Sequence, residues 1–263
     1  MDLKGKWVWI TGASSGLGEA MSYEFAKKGA NLILSSRKLE ELERVKANCN
    51  PAAKVEIQVL DVAEQAQFET VTNDLLSKTG SIDILINNAG VSQRGLVKET
   101  QLAVDRRIME INYFGAIALT KAVLPSMLKR RSGQIVVMSS LVGKFGSPLR
   151  STYAASKHAL HGFFDSLRAE TAKEGITITI LCPGYVHTNV SQNALTADGQ
   201  SQGTTDEKTA QGLSPEQFAK KAVRSIEKEK REVIIGRTET LGIYLKRFFP
   251  GLFARIISRV AVT

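Results

Sequence analysis

Seven short apolar runs alternate with amphipathic segments along this 263-residue chain, and that alternation limits the fold more than any other property of the sequence. The runs are Trp7–Ile10, Leu32–Ser35, Val55–Leu60, Ile84–Asn87, Gln134–Met138, Ile176–Leu181 and Glu232–Ile235. Between them lie segments with helical spacing, among them Leu17–Lys28, Leu39–Ala47, Glu64–Lys78, Gln101–Arg130 and Tyr153–Lys173. Near-continuous apolar strands are expected where helices cover both faces of a sheet. Strand–helix succession of this kind predicts parallel βαβ units in an open, doubly wound α/β sheet. No repeat or linker interrupts the chain, so residues 1–263 are expected to form one domain. One span breaks the rhythm: Asn189 to Ser214 is rich in Ser, Thr, Gln, Asn and Gly. A polar connection of that length is either a binding loop or a surface loop without order, and its place after a ligand-like motif favours a substrate lid.

Apolar residues make up 43% of the chain and charged residues 23%, which excludes a disordered or fibrous protein. Lys and Arg outnumber Asp and Glu by 35 to 26, a net charge of +9. Such a balance suits anionic ligands, an acidic membrane surface or nucleic acid. No basic block with interleaved aromatic residues accompanies it, so no nucleic-acid partner is expected. Cys49 and Cys182 have no metal-ligand spacing, and with His158, His161 and His187 they suggest no metal site. Cys182 ends an apolar run and reads as a buried, inert thiol. His158 and His161 share one helix, where packing or solvent explains them. Trp7–Ile10 leads directly into a glycine loop, leaving no room for a signal peptide. No run reads as long and apolar enough to cross a bilayer, so a cytoplasmic setting is expected.

The stretch T-G-A-S-S-G-L-G, Thr11 to Gly18, follows the first strand and opens the first helix. Glycines there permit a tight turn and let a pyrophosphate approach backbone N–H groups at a helix N-terminus. The candidate contacts are Gly12, Ser14, Ser15, Gly16, Leu17 and Gly18. No Gly-Lys-Ser/Thr follows, so this is not a P-loop. The second strand ends in Ser35-Ser36-Arg37, where many dinucleotide folds carry an acid for a ribose 2′-OH. With Ser36 in place of the acid and Arg37 able to grip a 2′-phosphate, NADP(H) is expected rather than NAD. Asp61 and Val62 end the third strand; the aspartate can accept from an adenine amino group or cap a helix. Asn88, Ala89 and Gly90 end the fourth, where small residues admit a cofactor and asparagines can tie strands together. Pro183, Gly184, Tyr185, Val186, His187 and Thr188 follow another apolar strand and either close the nicotinamide end of a pocket or form a plain turn.

Ser139 and Ser140 stand at a strand's carboxyl end, where open α/β sheets bind ligands. Ser140 could donate to a carbonyl oxygen as negative charge develops. In S-T-Y-A-A-S-K, Tyr153 and Lys157 are four residues apart and share a helix face. A phenol has a reference pKa of about 10, and a nearby ammonium favours its phenolate. The pair reads as a general acid/base brought toward neutral pH by Lys157.

In this order and combination the motifs resemble those of the short-chain dehydrogenase/reductase family over nearly the whole chain. The resemblance implies a Rossmann-type, three-layer sandwich with a central, mainly parallel seven-stranded sheet, and a homodimer or homotetramer. It implies a catalytic set of Asn112 (in I-N-Y-F-G), Ser140, Tyr153 and Lys157, with Ser140 preferred to Ser139 on its spacing to Tyr153. Lys157 would also hold nicotinamide ribose hydroxyls, and Asn112 would hold a water linking Lys157 to solvent. The runs N-N-A-G-V-S-Q-R-G, M-E-I-N-Y-F-G-A-I-A-L-T-K-A-V-L-P-S-M and P-G-Y-V-H-T-N look like the member 7B-like branch of that family. That branch consists of membrane-anchored reductases associated with acyl- or alkyl-dihydroxyacetone phosphate; the 11β-hydroxysteroid dehydrogenases are more distant. No N-terminal anchor is expected from this sequence, which would set it apart from both.

The expected activity is NADPH-dependent reduction of a ketone to a secondary alcohol, with a lipid-like or phosphorylated ketone as substrate. A hydroxysteroid or other alcohol dehydrogenase is the alternative. A non-catalytic dinucleotide sensor would not need Ser140, Tyr153 and Lys157 together. Arg94, Lys144, Arg150 and His187 lie near motifs of the pocket mouth, where they suit an anionic substrate or are scattered surface cations. With Ser140, Tyr153 and Tyr185, Arg94, Arg150 and His187 make up the candidate substrate contacts. In the tail, Leu245, Phe248, Phe249, Leu252, Phe253, Ile256, Ile257 and Val260 recur at helical spacing around Pro250, and Arg247, Arg255 and Arg259 keep phase on another face. No acidic residue follows Glu239. Residues 239–263 therefore read as an amphipathic helix pair that lies on an anionic bilayer or packs on protein.

Overall fold

A computed structural model describes residues 1–259. Val260, the last apolar position of the tail pattern, lies outside the described residues. In chain order the elements are β1 (Trp7–Thr11), α1 (Gly16–Lys27), β2 (Asn31–Ser36), α2 (Leu39–Ala47), β3 (Val55–Val59), α3 (Phe68–Thr79), β4 (Ile84–Asn87), β5 (Gln93–Arg94), α4 (Leu102–Met109), α5 (Gly115–Arg130), β6 (Gly133–Met138) and α6 (Ser151–Glu170). They continue with β7 (Ile176–Pro183), β8 (Leu195–Thr196), α7 (Glu207–Ala210), α8 (Pro215–Glu227), β9 (Glu232–Ile235), α9 (Leu241–Phe248) and α10 (Pro250–Ile257).

Seven strands form one sheet in the order β3-β2-β1-β4-β6-β7-β9, every pair parallel. Successive strand residues face opposite sides, so each apolar run feeds two cores. Ile10, Leu34, Ile86 and Val136 pack under α1 and α8, with Met21, Phe25 and Phe218. Trp9, Ile33, Leu85 and Val137 pack with Leu119, Val123 and Phe164 of α5 and α6 on the other side. Helices on both faces explain why the runs are continuous rather than alternating. Because all the strands are parallel, their carboxyl ends share one edge. The loops after β1, β4, β6 and β7 are gathered there.

Three expectations change in the structure. The segment expected as one helix over Gln101–Arg130 contains a π-helical turn, Glu110–Phe114, between α4 and α5. The continuous stretch Leu102–Arg130 is, by length and composition alone, long enough and apolar enough to cross a membrane, contrary to the reading of the sequence. Its buried face, with Leu119, Val123 and Met127, packs in the core instead. The 189–214 span is built rather than featureless: β8 pairs in parallel with β5, and Ser191, Ala194, Asp206 and Thr209 are buried.

Candidate active site

The glycine turn after β1 is held by backbone contacts. Gly12 and Gly16 adopt left-handed φ values of 64° and 59°, which glycine tolerates at little cost. A Cβ on Gly18 would stand 2.2 Å from the Gly12 carbonyl oxygen, so only glycine lets α1 approach so closely. The Asn88 amide donates to the Thr11 and Gly12 carbonyls at 2.9 and 3.2 Å. The Thr11 hydroxyl accepts from the Asn88 and Ala89 N–H groups at 3.0 Å each. Asn88 thus braces the turn. Ser15 occupies the N-cap of α1 but makes no side-chain capping bond. The N-terminal N–H groups of α1, with the partial positive charge of the helix, suit an anionic pyrophosphate. The Thr188 side chain approaches within 3.4 Å of where a Cβ on Gly16 would be, so the loop after β7 reaches the same turn.

Arg37 is exposed just past β2. The Ser36 hydroxyl turns back to accept from the Lys38 N–H at 3.2 Å. Arg44, which the sequence reading did not single out, donates to the Ser14 carbonyl at 3.1 Å and pairs with Glu19 at 2.6 Å, tying α2 to the glycine turn. Asp61 accepts from the Ala63 N–H at 3.0 Å, so one carboxylate oxygen serves the local turn. Val62 packs in the α5-side core, its carbonyl 2.4 Å from where a Cβ on Gly115 would be. These residues fit a dinucleotide: a glycine cradle at a helix start, with an exposed cation past the second strand.

Ser140, Tyr153 and Lys157 meet beyond the end of β6. Ser140 caps a short 3-10 turn, Leu141–Gly143, and its hydroxyl favours the ionised form of the Tyr153 phenol. The Lys157 ammonium donates to the Met138 carbonyl at 2.8 Å and lies 5.7 Å from the Tyr153 ring centre. Ser139 differs from its neighbour: it is buried, 2.9 Å from His161 Nε2, and donates to the Lys157 carbonyl at 3.2 Å. Gln93, absent from the sequence reading, is fully buried, and its side-chain oxygen accepts from the Thr152 and Tyr153 N–H groups at 2.9 and 3.2 Å. It satisfies two of the open donors at the start of α6 and fixes where Tyr153 begins.

The electrostatics correct one expectation. Burial pushes the Tyr153 phenol above its ordinary pKa; the Ser140 hydroxyl and the charges of Arg150 and Arg94 oppose that rise. Lys157 is not among the opposing groups. Burial instead lowers the pKa of Lys157 to about 8, because an ammonium loses its hydration there. Asn112 makes three side-chain hydrogen bonds. Its side chain accepts from the Val91 N–H at 2.8 Å and donates to the Val91 carbonyl and the Ser156 hydroxyl at 2.9 and 3.0 Å. It therefore clamps the β4 exit to α6. Gly90 is hemmed in by this clamp, since a Cβ there would lie 3.0 Å from Asn112 Oδ1 and 3.4 Å from Lys157 Nζ.

The cations expected at the pocket mouth have partners of their own. Arg94 and Arg150 are buried and share the Asp206 carboxylate: Arg94 Nε donates at 3.1 and 3.2 Å and Arg150 at 3.3 Å. Asp206 lies in the 189–214 span, so these arginines seat that span instead of lining an open mouth. Lys144 pairs with Glu232 at 2.6 Å, beside His161 Nδ1 at 3.2 Å. Burial and the Lys144 charge lower the His161 pKa to about 4. Cys182 is buried 3.8 Å from the His161 ring, and burial raises its thiol to about 12, as an inert thiol should be. His187 is exposed. Tyr185 is half-buried under Arg150, whose guanidinium lies 5.9 Å from its ring centre.

A cleft of about 780 Å³ opens between the tail and the body. Phe145, Tyr185, Leu245, Phe248, Phe253 and Ile257 are among its walls, with Lys208 and Arg237 as its basic members. Tyr153 does not line it, but packs against the Phe145 and Phe253 cluster beside it. The tail is pinned by Glu239, whose carboxylate accepts from the Tyr185 N–H at 3.2 Å. The tail's apolar residues divide: Phe253 is buried and rests on Phe145 with ring centres 5.2 Å apart, whereas Phe248, Phe249, Leu252 and Ile256 are exposed.

A doubly wound parallel sheet, a glycine turn at its edge and Ser140, Tyr153 and Lys157 together describe a dinucleotide-dependent oxidoreductase fold. The chain belongs to the short-chain dehydrogenase family, whose model matches residues 6–199. Among similar proteins, dehydrogenase/reductase SDR family member 7B from Bos taurus is 44% identical over 95% of this chain and 80% of its own length. A short-chain dehydrogenase from Streptomyces avermitilis superposes with a TM-score of 0.83 at 29% identity, covering 98% of this chain and 97% of its own. An alcohol dehydrogenase from Thermococcus sibiricus, complexed with 5-hydroxy-NADP, gives 0.77 at 25% identity over 89% of this chain and 97% of its own.

Proposed function

We propose that the protein is an NADPH-dependent reductase that converts a ketone to a secondary alcohol. The observation that carries this reading is the meeting of Ser140, Tyr153 and Lys157 at the sheet edge that also holds the glycine turn. When bound, the reduced nicotinamide supplies a hydride. Ser140 donates a hydrogen bond to the substrate oxygen as it gains charge, and Tyr153 gives that oxygen its proton. Lys157 binds ribose hydroxyls and, with a pKa of about 8, can return a proton toward Tyr153 near neutral pH. Arg37 binds the 2′-phosphate, in line with its exposure and with the NADP-type ligand of the Thermococcus sibiricus relative.

The cleft favours a substrate with a long apolar part, and Lys208 and Arg237 suit an anionic group on it. Exposed Phe248, Phe249, Leu252 and Ile256, with Arg247, Arg255 and Arg259 nearby, support a tail that rests on an anionic bilayer from the cytoplasmic side. A homo-oligomer, dimer or tetramer, is part of this reading. The test is cofactor oxidation by a panel of phosphorylated, long-chain and steroidal ketones, with NADPH and NADH side by side. Turnover with NADPH and a long-chain ketone is expected; no turnover with any ketone refutes the reading. Sedimentation with anionic liposomes, lost on removing residues 241–263, tests the tail.

A further inference from the structure

Tyr153, Lys157 and His161 follow one another at spacings of four along one side of α6. The proposed mechanism uses the first two and leaves the third over. His161 is buried, and the polar groups at its ring come from other segments. Its Nε2 lies 2.9 Å from Ser139 Oγ, just past β6, and 3.8 Å from Cys182 Sγ of β7. Its Nδ1 lies 3.2 Å from Lys144 Nζ and 3.6 Å from Glu232 of β9.

The partners fix where the protons sit. An ammonium can only donate. Lys144 gives one bond to Glu232 at 2.6 Å and faces His161 Nδ1 at 3.2 Å, so Nδ1 is the bare, accepting nitrogen. The ring is neutral at ordinary pH, since burial and the Lys144 charge lower its pKa to about 4. Its single proton is therefore on Nε2 and is given to Ser139 Oγ. The one hydroxyl proton of Ser139 then goes to the Lys157 carbonyl at 3.2 Å. The bonds run in one direction, from Lys144 through His161 and Ser139 to Lys157.

That chain ends on the backbone of a catalytic residue. Lys157 is fastened twice to the end of β6: its ammonium donates to the Met138 carbonyl at 2.8 Å, and its own carbonyl accepts from Ser139. The next residue is Ser140, which caps the Leu141–Gly143 turn. Gly143 closes that turn over the same atoms. A Cβ there would meet the Ser139 hydroxyl oxygen, the Lys157 carbonyl oxygen at 3.0 Å and His161 Nε2 at 3.2 Å. The spacing between the Ser140 turn and α6 is thus set at this cluster.

We infer that His161 is a positioning residue: as the neutral Nε2–H tautomer it aims the Ser139 hydroxyl at the Lys157 carbonyl, and so holds Ser140 in register with Tyr153 and Lys157. The inference rests on the proposed reductase mechanism. His161→Leu removes the donor and Ser139→Ala removes the link. Each should lower kcat by about 10–100-fold, as small misplacements of reacting groups do, with KM for NADPH near wild type because the glycine turn is untouched. The double variant should lose no more than the worse single one, since both act through one bond. His161→Gln keeps an amide N–H in the place of Nε2 and should recover most of the rate. A residue that merely supports the fold gives losses that add and no recovery.

Steady-state kinetics of the four variants and nitrogen NMR of histidine-labelled wild type form the test, with the His161 signal assigned by its loss in His161→Gln. Non-additive losses in kcat, recovery with His161→Gln and a proton on Nε2 alone at neutral pH support the inference. Additive losses, no recovery, or a proton on Nδ1 overturn it. Should His161→Leu not fold, Ser139→Ala and His161→Gln decide with the NMR: a full rate in the first or a lost rate in the second overturns it. Should wild type reduce no ketone, the reading of function fails, and a crystal structure of Ser139→Ala decides this inference by itself. A displaced Leu141–Gly143 turn then supports it, and an unmoved one overturns it.

Discussion

The two sides of this molecule are built by different means. The dinucleotide side is shaped by backbone: Gly12, Gly16 and Gly18 bring a turn and a helix together, and Thr11 and Asn88 brace them. The side that seats the 189–214 span is shaped by charged side chains from distant segments, with Arg94 and Asp206 separated by 112 residues. A backbone site depends on steric room and is indifferent to pH. A site made of buried charges depends on the ionisation of its members. The contrast teaches that damage to one side should show as lost space, and damage to the other as altered titration.

The largest expected effect separates the two sides outright. Tyr153→Phe should lower kcat by about 10²–10⁴-fold, while NADPH affinity, followed by fluorescence quenching, stays near wild type. A comparable loss of cofactor affinity would break the separation. Next comes acid stability. The His161 pKa falls from 6.5 to about 4 in the folded state, so the unfolded chain binds the proton first. Stability is then complete above pH 6.5 and is lost as pH falls toward 4, by about 3 kcal/mol at roughly 1.4 kcal/mol per unit. In urea titrations at each pH, His161→Gln should flatten that decline.

A smaller effect belongs to the backbone side. Gly18→Ala places a Cβ against the Gly12 carbonyl and should cost about 1–3 kcal/mol in urea denaturation, with weaker dinucleotide binding. Gly146→Ala, which would meet nothing within 4 Å, should be close to neutral. The smallest effect concerns Arg37, which is exposed. Arg37→Ser should reduce the preference for NADPH over NADH by about tenfold, the worth of one charge-assisted hydrogen bond.

What the sequence disclosed follows the same division. The seven strands, the glycine turn and the proximity of Ser140, Tyr153 and Lys157 were legible because each depends on local periodicity or on a short motif. The preference for Ser140 over Ser139 came from the family resemblance, and the two serines have different surroundings in the structure. The partners of Arg94 and Arg150 were not legible, since nothing local joins β5 to a residue in a polar span. The role of Gln93 was hidden for the same reason: it caps a helix that starts 58 residues later at Ser151, to whose hydroxyl it also reaches. The direction of the Tyr153 shift was misjudged because burial, which outweighs neighbouring charge here, cannot be read from a spacing of four. The π-helical turn at Glu110–Phe114 left no periodic signature, as one extra residue is too small a change in phase.

Glu239 gives the tail an anchor with mechanical meaning. Its carboxylate grips the backbone at Gly184 and Tyr185, where a Cβ on Gly184 would fall 2.1 Å from an oxygen. Three residues on, Thr188 leans on the glycine turn. A load that lifts the last two helices is thus passed, in part through Glu239, to the loop that leans on the glycine turn.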